Sequence, residues 1–476
     1  MASSSQSSEA RFASYVESLA GTLGHASRVE PMRDYCTGLL MPCERKSVEP
    51  MAAVVAPSRV SAEHQSLLHF VGQAAWSDAD MLAMTRELVL PAMEKQGGPI
   101  TAWIVDDTGF SKKGSHSVGV ARQYCGRLGK TDNCQIAVTL SIANHAASLP
   151  IAYRLYLPED WASDAARRRK AGVPDDVRFM TKPRIALAQM KAALAAGVPK
   201  GAVLADPAYG VSGEFRAGVK RLGLIYALGV QSNLNVWAPG VEALSQAAWD
   251  KRLKHTPRKQ LTGGPMPVSV KALAEGLPAD AFQEVAWREG SNDALTSRFA
   301  AVRVRPASGA VDRTKPCEVE WLLVEWPQGE AAPTKYWLST LPEDTPVSTL
   351  VDIAKMRWRV ERDYEELKSE LGLAHFEGRG WRGFHHHATL CIAAYGFLIR
   401  ERAEIPPCGA ARRQRPDISD RPRPRGAADP ARTSRRQLDS NHATQADRRA
   451  RRDATTMSLL SGANAKTELS STKMTQ

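Results

Sequence analysis

Apolar residues recur every three to four positions along the first 95 residues, a spacing typical of amphipathic helices. Ser77 precedes an acidic first turn, and Gly97-Gly98 follows the last apolar position. These residues are the start and stop signals of a helix. The pattern predicts a helical N-terminal domain over residues 1–95, and both DNA binding and simple packing remain open as its role.

After Pro99 the pattern changes to short apolar runs separated by turn residues. Predicted strands occupy residues 100–105, 117–124, 135–144, 149–157, 201–205 and 224–230. Predicted helices occupy residues 182–197 and 212–223. This order over residues 96–230 is that of a ribonuclease-H-like α/β core, although periodicity alone also allows other α/β topologies.

The rest of the chain divides into three parts. Residues 231–345 contain further strand patterns and predict a β-rich insertion. Residues 346–404 return to a helical pattern, over 347–371 and again over 388–404. Residues 405–476 contain no Phe, Trp or Tyr and predict a disordered basic tail. An Arg-rich DNA-binding arm and a frame-shifted C-terminus are alternative interpretations of that tail.

Composition narrows the function classes. The chain of 476 residues has no apolar run long enough to span a membrane, and its polar N-terminus lacks a signal peptide, so we expect a cytoplasmic protein. The seven cysteines contain no C-x-x-C pair, which argues against a disulfide framework and a zinc site. A net charge of +12 suits a polyanionic partner, but residues 401–476 alone carry 16 Arg/Lys against 9 Asp/Glu. Charge therefore supports DNA binding only weakly.

Three acidic residues are the candidate catalytic residues. Asp107 and Asp206 follow predicted strands, and such positions meet at the carboxyl edge of an α/β sheet. Residues 356–373 predict one helix, on which steps of four and seven place Arg357, Glu361 and Lys368 on a single stripe. Three carboxylates arranged in this way can hold two Mg²⁺ ions over a phosphodiester. Each feature alone is ordinary, because a lone aspartate is more often a turn or cap and the stripe could be simple helix pairing.

In combination these residues resemble the DDE transposases of bacterial insertion sequences. In one branch of that family the last acid lies in the pattern Y-x2-R-x3-E-x6-K, which here becomes Ala354, Arg357, Glu361 and Lys368, so the tyrosine is missing. Three further blocks resemble the family, at residues 106–126, 205–210 and 371–390. The resemblance covers residues 12–400.

The resemblance implies a ribonuclease-H-like core interrupted by the insertion, with Asp107, Asp206 and Glu361 as catalytic metal ligands. It also implies two Mg²⁺ ions, with Mn²⁺ as a substitute, for cleavage at transposon ends followed by joining of the 3′ ends to target DNA. DNA and a second copy of the chain would be the partners in a nucleoid-associated complex. Two other functions remain open: a catalytically inactive or domesticated DNA-binding protein, and a metal-dependent nuclease of the same fold acting on RNA or other DNA.

Several residues near the three acids have competing interpretations. The family motif places the first acid directly before Thr, which favours Asp107 over Asp106, and Glu365 competes with Glu361. Arg357 and Lys368 are predicted phosphate contacts, while Lys112 and Lys113 would grip the DNA backbone or form a solvated turn. Consecutive histidines on a helix point apart, so residues 385–387 predict no metal site, although one of them could reach a phosphate. Three tryptophans in the insertion are predicted core residues, with base stacking as the alternative implied by the resemblance: Trp321, Trp326 and Trp337.

Overall fold

The structure, a computed structural model, describes residues 7–255, 264–289 and 294–405. The helices are α1 Ser8–Ala20, α2 Val29–Leu40, α3 Val48–Val55, α4 Val60–Gly72, α5 Asp78–Gly97, α6 Glu159–Ser163, α7 Ala165–Ala171, α8 Lys182–Ala195, α9 Pro207–Gly210, α10 Gly213–Arg221, α11 Gln246–His255, α12 Val270–Glu275, α13 Val347–Lys355, α14 Trp358–Ser369 and α15 Trp381–Glu404. The strands are β1 Ala102–Ser111, β2 Ala121–Cys125, β3 Lys130–Ala143, β4 Ser148–Leu155, β5 Ala202–Ala205, β6 Tyr226–Val230, β7 Asn235–Trp237, β8 Val268–Ser269, β9 Gln283–Glu289, β10 Ala294–Pro306, β11 Glu320–Trp326 and β12 Lys335–Ser339. The predicted tail lies outside the described residues, apart from Ile405.

A mixed sheet organises the fold. Strands β4, β3, β1, β5 and β6 are neighbours in that order. Strand β3 runs antiparallel to β1 and β4, whereas β1, β5 and β6 are parallel. This mixed α/β architecture fits the predicted ribonuclease-H-like nuclease fold. Helix α8 contacts β3, and α10 packs on α8.

The strands of residues 231–345 extend the same sheet. Strand β12 pairs antiparallel with β6, and β11, β10 and β9 follow outward. Residues 231–345 contain the six strands β7 to β12 among their described residues. These strands continue the core sheet because β12 satisfies the backbone groups of β6 that would otherwise form an open edge.

Helix α15 is the hub of the helical layer. It packs against α5, α4, α2 and α1, and also against β4. The cap signals at the start of α5 are confirmed, since the Ser77 hydroxyl accepts from the Asp80 amide and Gly98 ends the helix with a φ of 75°. Helix α15 begins at Trp381, earlier than the predicted Ala388. Across the described residues no helix is long and apolar enough to cross a membrane.

The histidines of α15 are core residues. His385 accepts from the Leu155 amide at 3.2 Å, His386 stacks on Trp76, and His387 contacts the Tyr35 hydroxyl at 2.8 Å. Each histidine is at most 5% exposed, so the suggested phosphate contact is wrong for all three. Burial lowers the pKa of His386 and His387 to about 4, which keeps both rings neutral near pH 7.

Lys355, whose side chain is 10% exposed, connects β11 to the junction of α13 and α14. Lys355, the last residue of α13, donates to both carboxylate oxygens of Glu325 on β11 at 2.7 Å. Its ammonium also lies 4.4 Å from the Trp287 ring and 5.3 Å from the Trp337 ring. Burial lowers the pKa of Lys355, and the Glu325 carboxylate opposes that shift. Trp337 is thus a packing residue around this lysine.

Asp363 of α14 is a carboxyl buried beneath α15. It is 2% exposed and accepts hydrogen bonds from Ser148 at 2.6 Å and Tyr395 at 2.8 Å. Burial raises its pKa to about 7, although these two bonds favour the charged form. The folded protein therefore holds this proton more tightly than the unfolded chain does.

This carboxyl predicts a pH-dependent stability. Because the folded pKa is above the unfolded value, the contribution is complete below about pH 4 and is lost as pH rises through about 7. Between pH 5 and pH 8, Asp363→Asn should remove about 2.5 kcal/mol of that pH dependence. Urea denaturation at pH 5 and pH 8 would measure it, with exposed Asp280→Asn as the control. Parallel pH profiles for the wild type and Asp363→Asn would contradict the assignment.

Candidate active site

Asp106 and Asp107 lie inside β1, where the prediction placed them just beyond a strand. The strand continues to Ser111 because β3 pairs with it residue by residue, with Asp106 opposite Thr139 and Asp107 opposite Val138. Successive residues of a strand point to opposite faces. The two neighbouring carboxylates therefore have different surroundings.

Asp206 lies beside this pair. In the parallel pairing of β1 with β5, Ile104 is opposite Leu204, and β5 ends at Ala205. Asp206 follows as the N-cap of α9, with its Oδ1 accepting from the Ala208 amide at 3.0 Å. Burial raises the pKa of Asp206, opposed by the amide hydrogen bonds and the Arg357 charge and reinforced by the charge of Asp107. The in-register pairing brings the acids of the two strands to one edge, as predicted from the sequence.

Arg357 connects the β1 pair to the glutamate. Its Nη2 donates to Glu361 Oε1 at 2.6 Å, and its Nη1 is 3.4 Å from Asp106 Oδ2. The helical pattern predicted over residues 347–371 is interrupted here, because α13 ends at Lys355 and α14 begins at Trp358. The helix predicted over residues 356–373 is α14, which is shorter at both ends. Arg357 therefore occupies the N-cap position of α14, from which it reaches both carboxylates.

Asp106 is the more enclosed of the two β1 acids. Burial raises its pKa to about 7, the Arg357 guanidinium lowers it, and the charge of Asp206 raises it further. On the neighbouring strand Thr139 hydrogen-bonds to the Tyr364 hydroxyl of α14. Asp106 thus shares its face of the sheet with the helix that carries Glu361.

Asp107 is held by two residues that the sequence did not indicate. Lys182 Nζ donates to Asp107 Oδ2 at 2.6 Å, and the Tyr209 hydroxyl donates to Oδ1. Lys182 is the first residue of α8, and Tyr209 belongs to α9 directly after Asp206. The only sequence signal for Tyr209 was its place in the ADPAYG block, while Lys182 had none beyond a helix start.

The predicted DNA-contacting lysines have different environments. Lys368 donates to the Gly109 carbonyl at 3.2 Å and lies 5.1 Å from the Phe110 ring. Lys112 donates to the Phe376 carbonyl at 3.0 Å, and burial lowers its pKa. Lys113 is exposed, as is Glu365 on α14. Lys112 therefore ties the loop after β1 to the loop before α15, and Lys113 is left facing solvent.

Two of the insertion tryptophans pack beneath arginines. Trp321 donates to the Pro342 carbonyl at 3.0 Å, with Arg303 4.8 Å above its ring. Trp326 lies under Arg298 at 4.2 Å. These contacts agree with the predicted packing role.

The carboxylates of the site are the kind of ligand that a hard cation prefers, but their side chains do not converge on one point. In the part of the chain that the structure describes, no three His, Cys, Asp or Glu side chains converge as a metal site. Instead Arg357 and Lys182 supply the positive charge beside Asp106, Asp107 and Glu361. Carboxylate oxygens are the ligands that Mg²⁺ prefers, and a bound cation would favour the charged forms of acids whose pKa burial has raised. The donor set therefore suits a divalent cation once the two side chains move aside.

Sequence comparison supplies the family. A family model described as DDE superfamily endonuclease matches residues 18–294, more than half of the chain. The chain belongs to the DDE superfamily of endonucleases. Nucleases of this superfamily use divalent metal ions. Asp106, Asp107 and Asp206 lie within the matched residues, whereas Glu361 lies beyond them.

A curated relative points in the same direction. The chain is 32% identical over 215 residues to a protein of Microchaete diplosiphon named "Probable transposase for insertion sequence element IS701". The match covers 45% of this chain and 52% of the relative, so the chain spans about half of that protein's length. The resemblance of this DDE endonuclease to insertion-sequence transposases is confirmed.

Proposed function

We propose that this DDE endonuclease is the transposase of an insertion sequence, which binds the ends of its element, cleaves DNA there and joins the 3′ ends to target DNA. The observation that carries the proposal is the meeting of the β1 acids with Asp206 at one sheet edge, with Glu361 linked to them through Arg357. The partners are DNA and a second copy of the chain in a synaptic complex.

Asp206 and Glu361 are the proposed ligands on either side of the β1 pair. The sequence motif supports Asp107 as the first ligand, and the contacts of Arg357 support Asp106. When bound, two Mg²⁺ ions would activate a water and stabilise the oxygen that leaves the phosphorus. Mn²⁺ is expected to substitute.

The chain's own residues prepare this site. Without a cation, Arg357 offsets the charge of Asp106, a carboxylate that burial makes costly to ionise, and Lys182 pairs with Asp107. Arg357 has a side chain only 28% exposed, and on leaving Glu361 it can meet a phosphate of the DNA with its planar fork of donors. Lys368, already beside Gly109 on the same strand as the acids, would supply a second phosphate contact.

A cleavage assay on DNA carrying the element's ends tests the proposal. Asp206→Ala and Glu361→Ala are expected to stop Mg²⁺-dependent nicking while end binding persists, because they remove ligands and leave the basic surface intact. Glu365→Ala on the same helix is the matched control and should keep full activity. End-specific binding without cleavage by the wild type, in either Mg²⁺ or Mn²⁺, would favour the inactive DNA-binding alternative. Full activity in Asp206→Ala or Glu361→Ala would contradict the site.

A further inference from the structure

The β2–β3 hairpin extends the sheet beyond the end of β1. Strand β1 ends opposite Cys134, whereas β3 begins at Lys130 and pairs there with β2. Among the described strands, β2 pairs with β3 alone. The hairpin therefore projects from the sheet past the strand that carries Asp106.

Arg122 and Tyr124 lie on the same face of the sheet as Asp106. Tyr124 is opposite Thr131 on β3, and Asp106 is opposite Thr139 on the same strand. Residues opposite each other share a face, and so do residues an even number apart along a strand. Thr131 and Thr139 are eight residues apart, so their partners share one face, and Arg122 joins them two residues before Tyr124.

Lys368 lies between the acids and the hairpin on this face. Its ammonium is 5.1 Å from the ring of Phe110, which is four residues after Asp106 and on the same side of β1. Lys368 and Phe110 therefore lie between α14 and the hairpin residues Arg122 and Tyr124 on this face of the sheet.

The hairpin presents an exposed ring beside exposed cations. Tyr124 is 62% exposed, more than any other large hydrophobic side chain in the described residues. Arg122 is exposed and makes no ion pair with a described residue, and the same holds for Lys113. Asn133 ties the Lys113 loop to the hairpin by donating to the carbonyls of Lys112, at 2.6 Å, and Gly114, at 3.0 Å. We call Lys113, Arg122 and Tyr124 the hairpin surface.

We propose that the hairpin surface binds the DNA that flanks the cleaved bond, with Arg122 and Lys113 on phosphates and the Tyr124 ring packed against a sugar. The proposal rests on the proposed function. Cations that form no ion pair with a described residue, beside an exposed aromatic ring, are complementary to duplex DNA, whose backbone is anionic and whose sugars offer apolar surface. Along β3, Asn133 and Thr131, the partners of Arg122 and Tyr124, lie six and eight residues from Thr139, the partner of Asp106. These steps are about 20 and 27 Å, so the contact would lie roughly six to eight base pairs from the cleaved bond.

Protection of the sheet edge is the simpler reading of these charges. Charged side chains on an edge strand discourage pairing with another chain. That role accounts for Arg122, but an exposed tyrosine favours strand pairing and works against it. A second copy of the chain adding a strand to β2 is the competing occupant, and it would need no unpaired cations.

The test measures DNA binding by the full chain without divalent metal, on a duplex carrying the element's ends. Arg122→Ala should weaken binding and reduce the slope of log affinity against log salt by about 0.9, the loss of one phosphate contact. Tyr124→Ala should weaken binding about tenfold with an unchanged slope, the order expected for losing the burial of part of an aromatic ring. Tyr124→Phe should restore the affinity because the ring remains. Lys191→Ala is the matched control, since this exposed lysine lies on α8, the helix that contacts Asp107 from the other face.

The outcomes separate the two proposals. If the wild type binds and cleaves the ends while Arg122→Ala and Tyr124→Ala keep its affinity and slope, the hairpin surface is overturned and the transposase proposal stands. If Tyr124→Ala changes the sedimentation of the protein and leaves DNA affinity unchanged, the edge belongs to a second copy and the inference is also overturned. A wild type that neither binds nor cleaves the ends contradicts the proposed function itself.

Discussion

Asp106→Asn is expected to reduce Mg²⁺-dependent cleavage by about a thousandfold, as much as Asp206→Asn. A bound metal supplies several kcal/mol of charge stabilisation, and each 1.4 kcal/mol is a factor of ten in rate. Asp106 lies on the same face of the sheet as α14, the helix that carries Glu361. Arg357 Nη1 is 3.4 Å from Asp106 Oδ2, and the charge of Asp206 raises the pKa of Asp106. Asn keeps the size and loses the charge, so folding should be preserved.

Asp107→Asn should cost less, about ten- to a hundredfold, the range for groups that orient a metal ligand. Its carboxylate is held by Lys182 and Tyr209 on the opposite face of β1. Single-turnover cleavage rates, together with calorimetric Mn²⁺ binding in the absence of DNA, would compare the two variants. If Asp107→Asn loses both activity and metal binding while Asp106→Asn keeps them, the first ligand is Asp107, as the sequence motif indicates.

Lys355→Met is expected to lower the free energy of unfolding by about 3–5 kcal/mol. Removing one partner of a buried ion pair leaves the other charge uncompensated. Glu325 has a side chain only 4% exposed, and its remaining cation, Lys335, is 3.7 Å away with a side chain 59% exposed. Lys335 therefore replaces only part of the lost interaction.

Urea denaturation of Lys355→Met, Glu325→Leu and the double variant would measure this pair as a cycle. The double variant should be more stable than Lys355→Met alone, because no buried charge remains without a partner. Lys271→Met removes the lysine of the exposed pair with Glu275, at 3.8 Å, and should cost at most about 1 kcal/mol. A double variant that loses the sum of the two single effects would show that Lys355 and Glu325 act independently.

The helices and strands around the site can be predicted from the sequence where apolar residues recur in a regular pattern. Helix α8, helix α10 and strands β5 and β6 lie within the predicted ranges, because each has a continuous apolar pattern and clear terminal signals. The apolar run that predicts the strand ends at Val105, directly before Asp106 and Asp107. Aspartate is also depleted in strands. Pairing with β3 overrides that local preference, and such conflicts concentrate at functional sites.

The partners of the acids could not be predicted in the same way. Lys182 is 75 residues from Asp107 in the chain, and Arg357 is 251 residues from Asp106. Such pairs form only when distant segments come together in the fold, so the periodicity of apolar residues along the sequence does not indicate them. The break before α14 was also hidden, because apolar residues of α13 and α14 continue the same spacing through Met356. The missing tyrosine of the motif is Ala354, which is 4% exposed in the last turn of α13.

The pairing of β12 with β6 has a consequence for how this chain can be shortened or recombined. An insertion that is joined to a domain only through loops can be exchanged for another segment. Residues 231–345 differ, because their strand β12 pairs with β6, and β6 pairs with β5, the strand that Asp206 follows. Deleting residues 231–345 would remove the antiparallel partner of β6. Strand β6 would then be an edge strand whose unpaired backbone groups could pair with another chain. The deletion would also take Glu325 away from Lys355, two residues before Arg357. The strands before residue 231 and those of residues 231–345 therefore depend on each other structurally, and replacing either set would require rebuilding the other.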